Sequence, residues 1–230
     1  MPPEYGASLW PARGTRVKPA LLLLADGRFP AGGHAHSAGV EAAVRFGDVH
    51  DDATLERYLH ARLASTGVTD AAFASAAAAG CDPVALDAEL TARILSPRLR
   101  EVGQRMGRQL LRAGRRVWPD PALDALDGCQ QPVVLGVLVA VAGGSACDAA
   151  TMAMHHISAA VTSAGVRLLG LDPLAVAAIQ AGAAPLIDSL VEPADEWAAA
   201  APADLPAFGG ALTDILGEDH GRWTARLFVA

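Results

Sequence analysis

The run Pro132 to Gly144, PVVLGVLVAVAGG, carries no polar side chain, so whatever it forms must be covered on every face. Its apolar heart, Val133 to Ala142, is well short of the roughly 20 residues a helix needs to cross a bilayer. What remains is a short buried helix. Hydrophobic residues make up 52% of the chain and aromatic ones only 5%, with alanine, the best helix former and a poor filler of volume, supplying much of the total. Few segments show the alternation of strands. The expected fold is an all-α, single-domain helical bundle packed through small side chains. A flexible N-terminal arm (1–18) precedes a body (19–200), and a C-terminal segment ending in a tail (201–230) follows it.

The individual helices are legible by period. DDATLERYLHARLAS offers Asp51 or Asp52 as N-cap and Leu55, Leu59 and Leu63 on one face. DAAFASAAAAG and PVALDAELTARIL predict two more, with Pro83 in the first turn. Over Arg98 to Val117 the residues Leu99, Val102, Met106, Leu110, Ala113 and Val117 form an apolar stripe bordered by Gly103 and Gly107. Arg105, Arg108, Arg112 and Arg116 fall on another side, as either a solvated face or a docking face for an acidic partner. Further helices are expected from Leu21 to Asp26, from Asp148 to Leu169, and from Pro173 to Leu190 as one piece.

Several activities are excluded. Lys18 is the only lysine and Pro19 follows it, so neither a P-loop lysine nor a Schiff base is available. Cys81, Cys129 and Cys147 are odd in number and widely spaced, without a CxxC pair, which gives no disulfide frame or structural zinc site. A net charge of −7 argues against nucleic-acid binding. LLLLADG is too short and too soon polar for a signal peptide, and the expected location is the cytoplasm.

FPAGGHAHSAGVE, residues 29–41, concentrates the remaining chemistry. A Ser37 nucleophile with His36 as base lacks an orienting third group, and neighbours in sequence rarely face each other. Ser37 is expected instead to cap a helix starting at Ala38, with Glu41 near its positive end and Val40, Ala43, Val44 and Gly47 on its buried side. His34 and His36 are low-ranked metal candidates that would need a second copy to complete a site. His155 and His156 point about 100° apart on a helix and are expected to serve packing or surface roles.

LLLLADGRFPAGGHAHSAGVEAAV resembles the hallmark of the urease accessory protein UreF family, LLQLSDSxxPxGGFSHSxGLE, through Pro30, Gly32, Gly33, His36, Ser37, Gly39 and Glu41. RLREVGQRMGRQLL, PVVLGVLVAVAG, SAGVRLLGL and the terminal HGRWTARLFVA are similar to later family segments in the same order. His34 replaces a usual aromatic, Gln130 a common histidine, and GLDPLAVA and the end of the chain lack family polar residues. The resemblance implies a UreF-like all-α body, no enzymatic activity and no cofactor of its own. It also implies a homodimer that assembles with the accessory protein UreD (UreH in some species), the GTPase UreG and urease apoprotein. Nickel and GTP belong to that assembly. The rival reading is a nickel carrier binding metal through histidines at a dimer interface. Residues 30–41 become a shaped docking loop, and Arg226, Leu227 and Phe228 a docking tail, with Arg226 expected to anchor near the Gly33–Ser37 loop against His34.

Overall fold

The computed structural model describes residues 18–33, 36–224 and 226–228, without the side chain of Leu212. Among the described residues there is no strand. The arm before Lys18 and His34 lie outside them.

The helices are α1 (Pro19–Ala25), α2 (Val40–Arg45), α3 (Asp52–Arg62), α4 (Val68–Ala78), α5 (Pro83–Arg93), α6 (Pro97–Val117), α7 (Gln131–Val141), α8 (Ala146–Leu169), α9 (Pro173–Gly182), α10 (Ala184–Leu190), α11 (Ala194–Ala199) and α12 (Ala211–Gly221). Their starts follow local chemistry. The Asp51 carboxylate accepts from Thr54 N–H at 2.8 Å while the Thr54 hydroxyl accepts from Asp51 N–H at 2.9 Å, a reciprocal cap. Asp82 and Ser96 cap α5 and α6 by side-chain acceptance alone, each followed by proline.

The bundle is built around α4. Ala71, Ala72, Phe73, Ala74 and Ala76 have no exposed surface, and α7, α8 and α11 pack against this helix. Small side chains let the axes approach closely. At Gly136 of α7 a Cβ would collide with the Ala74 carbonyl oxygen, and at Gly107 of α6 with that of Cys129. Leu55, Leu59 and Leu63 are fully buried, as their spacing predicts, and each contributes about 2 kcal/mol of apolar burial. Every residue from Val133 to Leu135 and from Val137 to Val139 is buried too, so the sequence without a polar face is indeed core.

Three expectations need correction. The stripe on α6 is rotated: Val117 is exposed and Leu99 and Met106 are half-buried, whereas Gly107, Leu111 and Gly114 are buried. The glycines decide this, because α7 and its preceding loop come closest where there is no side chain. Pro173–Leu190 is two helices, broken at Ala183, because Pro185 has no N–H to continue the ladder. That stretch is apolar and long enough to span a bilayer by length and composition, and most of it is exposed. Third, α2 starts at Val40, not Ala38. Ala38 (φ 52°) and Gly39 (φ 88°) are both left-handed, which forbids helix there. Val40 and Ala43 are buried as expected, but Val44 is only half-buried and Gly47 is exposed beyond the helix end.

Candidate docking site

The segment between α1 and α2 folds as a compact loop over the C-terminal half of α6. Asp26 accepts from the Arg28 backbone at 2.9 Å and its guanidinium at 2.6 Å, which closes the first turn. Phe29 is then driven inward, where it stacks on Trp118 at 5.9 Å. Pro30 is exposed, and Gly32 sits left-handed (φ 77°) against the Gln109 side chain, leaving no room for a Cβ. Gly33 has an ordinary φ and open space around it. Gly33→Val is therefore expected to keep the wild-type circular dichroism and melting temperature while weakening partner capture, whereas Gly32→Val should cost about 2 kcal/mol of stability. Global unfolding of the Gly33 variant would remove the case for a docking role.

His36 and Ser37 are buried under this loop. The Ser37 hydroxyl accepts from Glu41 N–H, a first-turn donor of α2, at 3.4 Å, although Gly39 and not Ser37 holds the N-cap position. The Tyr58 hydroxyl donates to Ala38 carbonyl oxygen at 2.9 Å, holding the left-handed pair that aims α2.

Glu41, at the start of α2, is where the C-terminal segment meets the body. Its carboxylate lies 2.8 Å from His220 Nε2 on α12, and it accepts from Leu227 N–H at 2.6 Å and Phe228 N–H at 3.1 Å. Burial by itself would raise the Glu41 carboxyl. The bonds from Leu227, His220 and Phe228 outweigh it and hold the group below the ordinary carboxylate range. This contribution to stability is present above that range and is lost as pH falls through the folded-state value. Around it, Arg45 lies 4.1 Å over the Trp223 ring and Arg167 lies 4.3 Å over Phe228. Trp223 Nε1–H donates to Asp219 at 2.9 Å. The tail is thus anchored by Glu41 and Phe228, while Arg226, expected to be the anchor, is exposed.

Helix α12 is fastened to the body largely by polar contacts. Asp214 accepts from Ser96 N–H at 3.0 Å, and Glu218 accepts from the Ser96 hydroxyl at 2.5 Å and Arg98 N–H at 2.9 Å, all at the positive start of α6. Between α12, the loop, α4 and α8 runs a cavity of about 390 Å³ lined by Asp26, His36, Asp70, Gln130, His156 and His220 among others. Burial pushes the Asp70 carboxyl up to about 6, with Arg62 opposing the rise. It pushes His156 down to about 4, leaving a neutral ring 3.2 Å from the Leu24 carbonyl oxygen. Asp70 reaches this wall because a π-helical turn, Leu63–Gly67, interrupts α3 and α4. The Gln130 amide donates to the Arg100 carbonyl oxygen at 3.1 Å and its backbone N–H to Asp87 at 2.6 Å. It serves as an interhelix tie.

Arg108, Arg112 and Arg116 are exposed and Arg105 half-buried. None of the four has an ion-pair partner among the described residues. Residues 105, 109, 112 and 116 share a stripe, and Gln109 on that stripe carries Gly32. The arginine face and the loop are therefore neighbours. Among the described residues no group of three or more His, Cys, Asp or Glu is placed to hold a metal ion. The sequence reading missed the Glu41–His220 pair and Asp70. No local pattern marks a partnership across 179 positions.

Comparison with known proteins agrees with this architecture. The family model described as UreF matches residues 49–184. The chain is 40% identical over 212 residues to the urease accessory protein UreF of Mycobacterium sp. (strain JLS), covering 91% of this chain and 97% of the relative. Against the protein of the same name from Mycolicibacterium vanbaalenii the identity is 38% over 215 residues, and against that of Mycobacterium tuberculosis 34% over 214, with the same coverage.

Proposed function

We propose that this chain, which belongs to the UreF family of urease accessory proteins, acts in the cytoplasm as a non-enzymatic assembly subunit in urease maturation. It joins the accessory protein UreD (or UreH) and recruits the GTPase UreG, and the assembly inserts nickel into urease apoprotein in a GTP-dependent step. Nucleotide chemistry then belongs to the partner, in keeping with a chain whose single lysine precedes a proline. Nickel and GTP are cargo and fuel of the assembly, not residents of this subunit. The observation that carries the reading is that the 29–41 segment meets both α6 beside the arginine stripe, through Gly32 on Gln109, and the C-terminal tail, through Glu41. Self-association as a homodimer is supported by the apolar face of α9, where Leu174 is 79% exposed beside exposed Ala177, Ala178 and Ala181.

The deciding experiment is co-purification of the tagged chain with UreD and UreG. A complex with both partners supports the reading, and capture of neither overturns it. Reversal of Arg108 and Arg112 to glutamate is expected to weaken that complex at least tenfold, and raised salt to weaken the wild-type complex. Both mutated groups are exposed and have no ion-pair partner among the described residues, so helical content should not change. Unaltered affinity would return this face to plain solvation.

A further inference from the structure

Among the described residues, the charge of Glu41 is answered by the C-terminal segment. Its side chain is only 11% exposed, and its three side-chain hydrogen bonds among the described residues come from His220, Leu227 and Phe228. A nearly buried carboxylate stripped of donors is strongly unfavourable. The two tail donors therefore favour the seated tail. Two of the three donors are main-chain N–H groups, so the seat fixes the backbone of residues 227 and 228 whatever side chains they carry.

Pinned in this way, successive side chains face opposite directions. Phe228 turns inward beneath Arg167 and is 4% exposed, while Leu227 turns outward at 54%. Arg226 is exposed beside it. One turn along α2 from Glu41, Phe46 is 56% exposed and packs 6.4 Å from Trp223. Arg45, which lies over the same indole, and Arg222, the residue before Trp223 in the chain, are exposed. Of the carboxylates near this patch, Glu218 and Asp219 are engaged within the chain, and Asp48 is exposed behind Phe46.

We propose that Glu41 is a positioning residue which sets the C-terminal tail as a fixed epitope. Leu227 and Phe46 form its apolar centre and Arg45, Arg222 and Arg226 its cationic rim, for a partner protein surface that offers an apolar pocket edged with carboxylates. The inference rests on the assembly reading above, and names the residue that organises the tail and the chemistry the tail recognises.

The test uses the full chain with Glu41→Gln, Glu41→Asp and Leu227→Asp, and reads amide hydrogen exchange at residues 227 and 228 alongside capture of UreD. Glutamine keeps the shape but offers one acceptor oxygen in place of two. It is expected to speed exchange at these amides at least tenfold and to cut capture at least tenfold. Glu41→Asp should recover part of both. Leu227→Asp should leave exchange unchanged and still abolish capture, and at this exposed position the substitution leaves the fold intact. Capture that survives Glu41→Gln despite faster exchange overturns the positioning role. Capture that survives Leu227→Asp overturns the epitope. Failure of the wild-type chain to capture UreD would instead strike the assembly reading, leaving the tail's seat to be judged from exchange alone.

Discussion

Replacing Gly136 by valine is expected to cost this protein most of its stability. The α4–α7 crossing brings Gly136 against the Ala74 carbonyl oxygen, with the Ala77 Cβ only 2.7 Å from where a new Cβ would lie. Neither obstacle is a flexible side-chain tip, so relief requires the two helices to separate. These are the central pair of the bundle, and separation would loosen Val133, Val134 and Ala74, all without exposed surface. Overpacking in cores costs about 1–3 kcal/mol where side chains can adjust, and more where backbone must move. A loss of about 4 kcal/mol or more is expected, a large share of the roughly 5–15 kcal/mol that holds a domain. Gly182→Ala is the matching control: that glycine ends α9 with nothing near its Cβ position, so the substitution should be neutral or slightly stabilising. Denaturant midpoints decide the matter. A valine variant within about 1 kcal/mol of wild type would mean that α4 and α7 do not cross at this glycine.

The second large effect is functional. Deleting Arg226 to Ala230 is expected to leave a folded, soluble chain that no longer enters the maturation assembly. The deletion removes the buried Phe228 ring and two of the three donors to Glu41, a loss of about 3 kcal/mol by apolar burial and hydrogen bonding together. Phe228 is a single member of the buried apolar core, and α4, α7 and α8 supply most of the rest of it, so the helical circular dichroism should persist. Capture of UreD and UreG should fall below detection, because the exposed Leu227 and Arg226 are gone and Glu41 no longer orders its surroundings. A truncated chain that supports nickel insertion at the wild-type rate would show the tail to be dispensable.

How far the sequence reached is clearest residue by residue. Leu55, Leu59 and Leu63 were legible as a buried face, because period and burial are both written into contiguous residues. The apolar run through α7 had only one destination in a chain of this length. The loop of residues 29–41 was legible as a feature by its glycines and its family resemblance. Its internal geometry was not, since the left-handed turn at Ala38 depends on Tyr58 reaching across from α3. The arginine stripe could be drawn on a helical wheel, but its nearness to the loop appeared only with the packing of Gly32 on Gln109.

Helix positions, capping residues and the identity of the core follow from interactions between residues three or four apart, and from the aversion of apolar runs to water. Those forces act before any tertiary contact exists, so the sequence alone determined an all-α bundle with α7 buried in it. The pairing of Glu41 with His220, Leu227 and Phe228 is of another kind. Those groups lie 179, 186 and 187 positions away, and two of the donors are backbone N–H groups that any residue type except proline supplies. Only the packing of α12 across α2 and α6 brought them to one carboxylate, because a main-chain hydrogen bond carries no mark in the sequence of where its acceptor is.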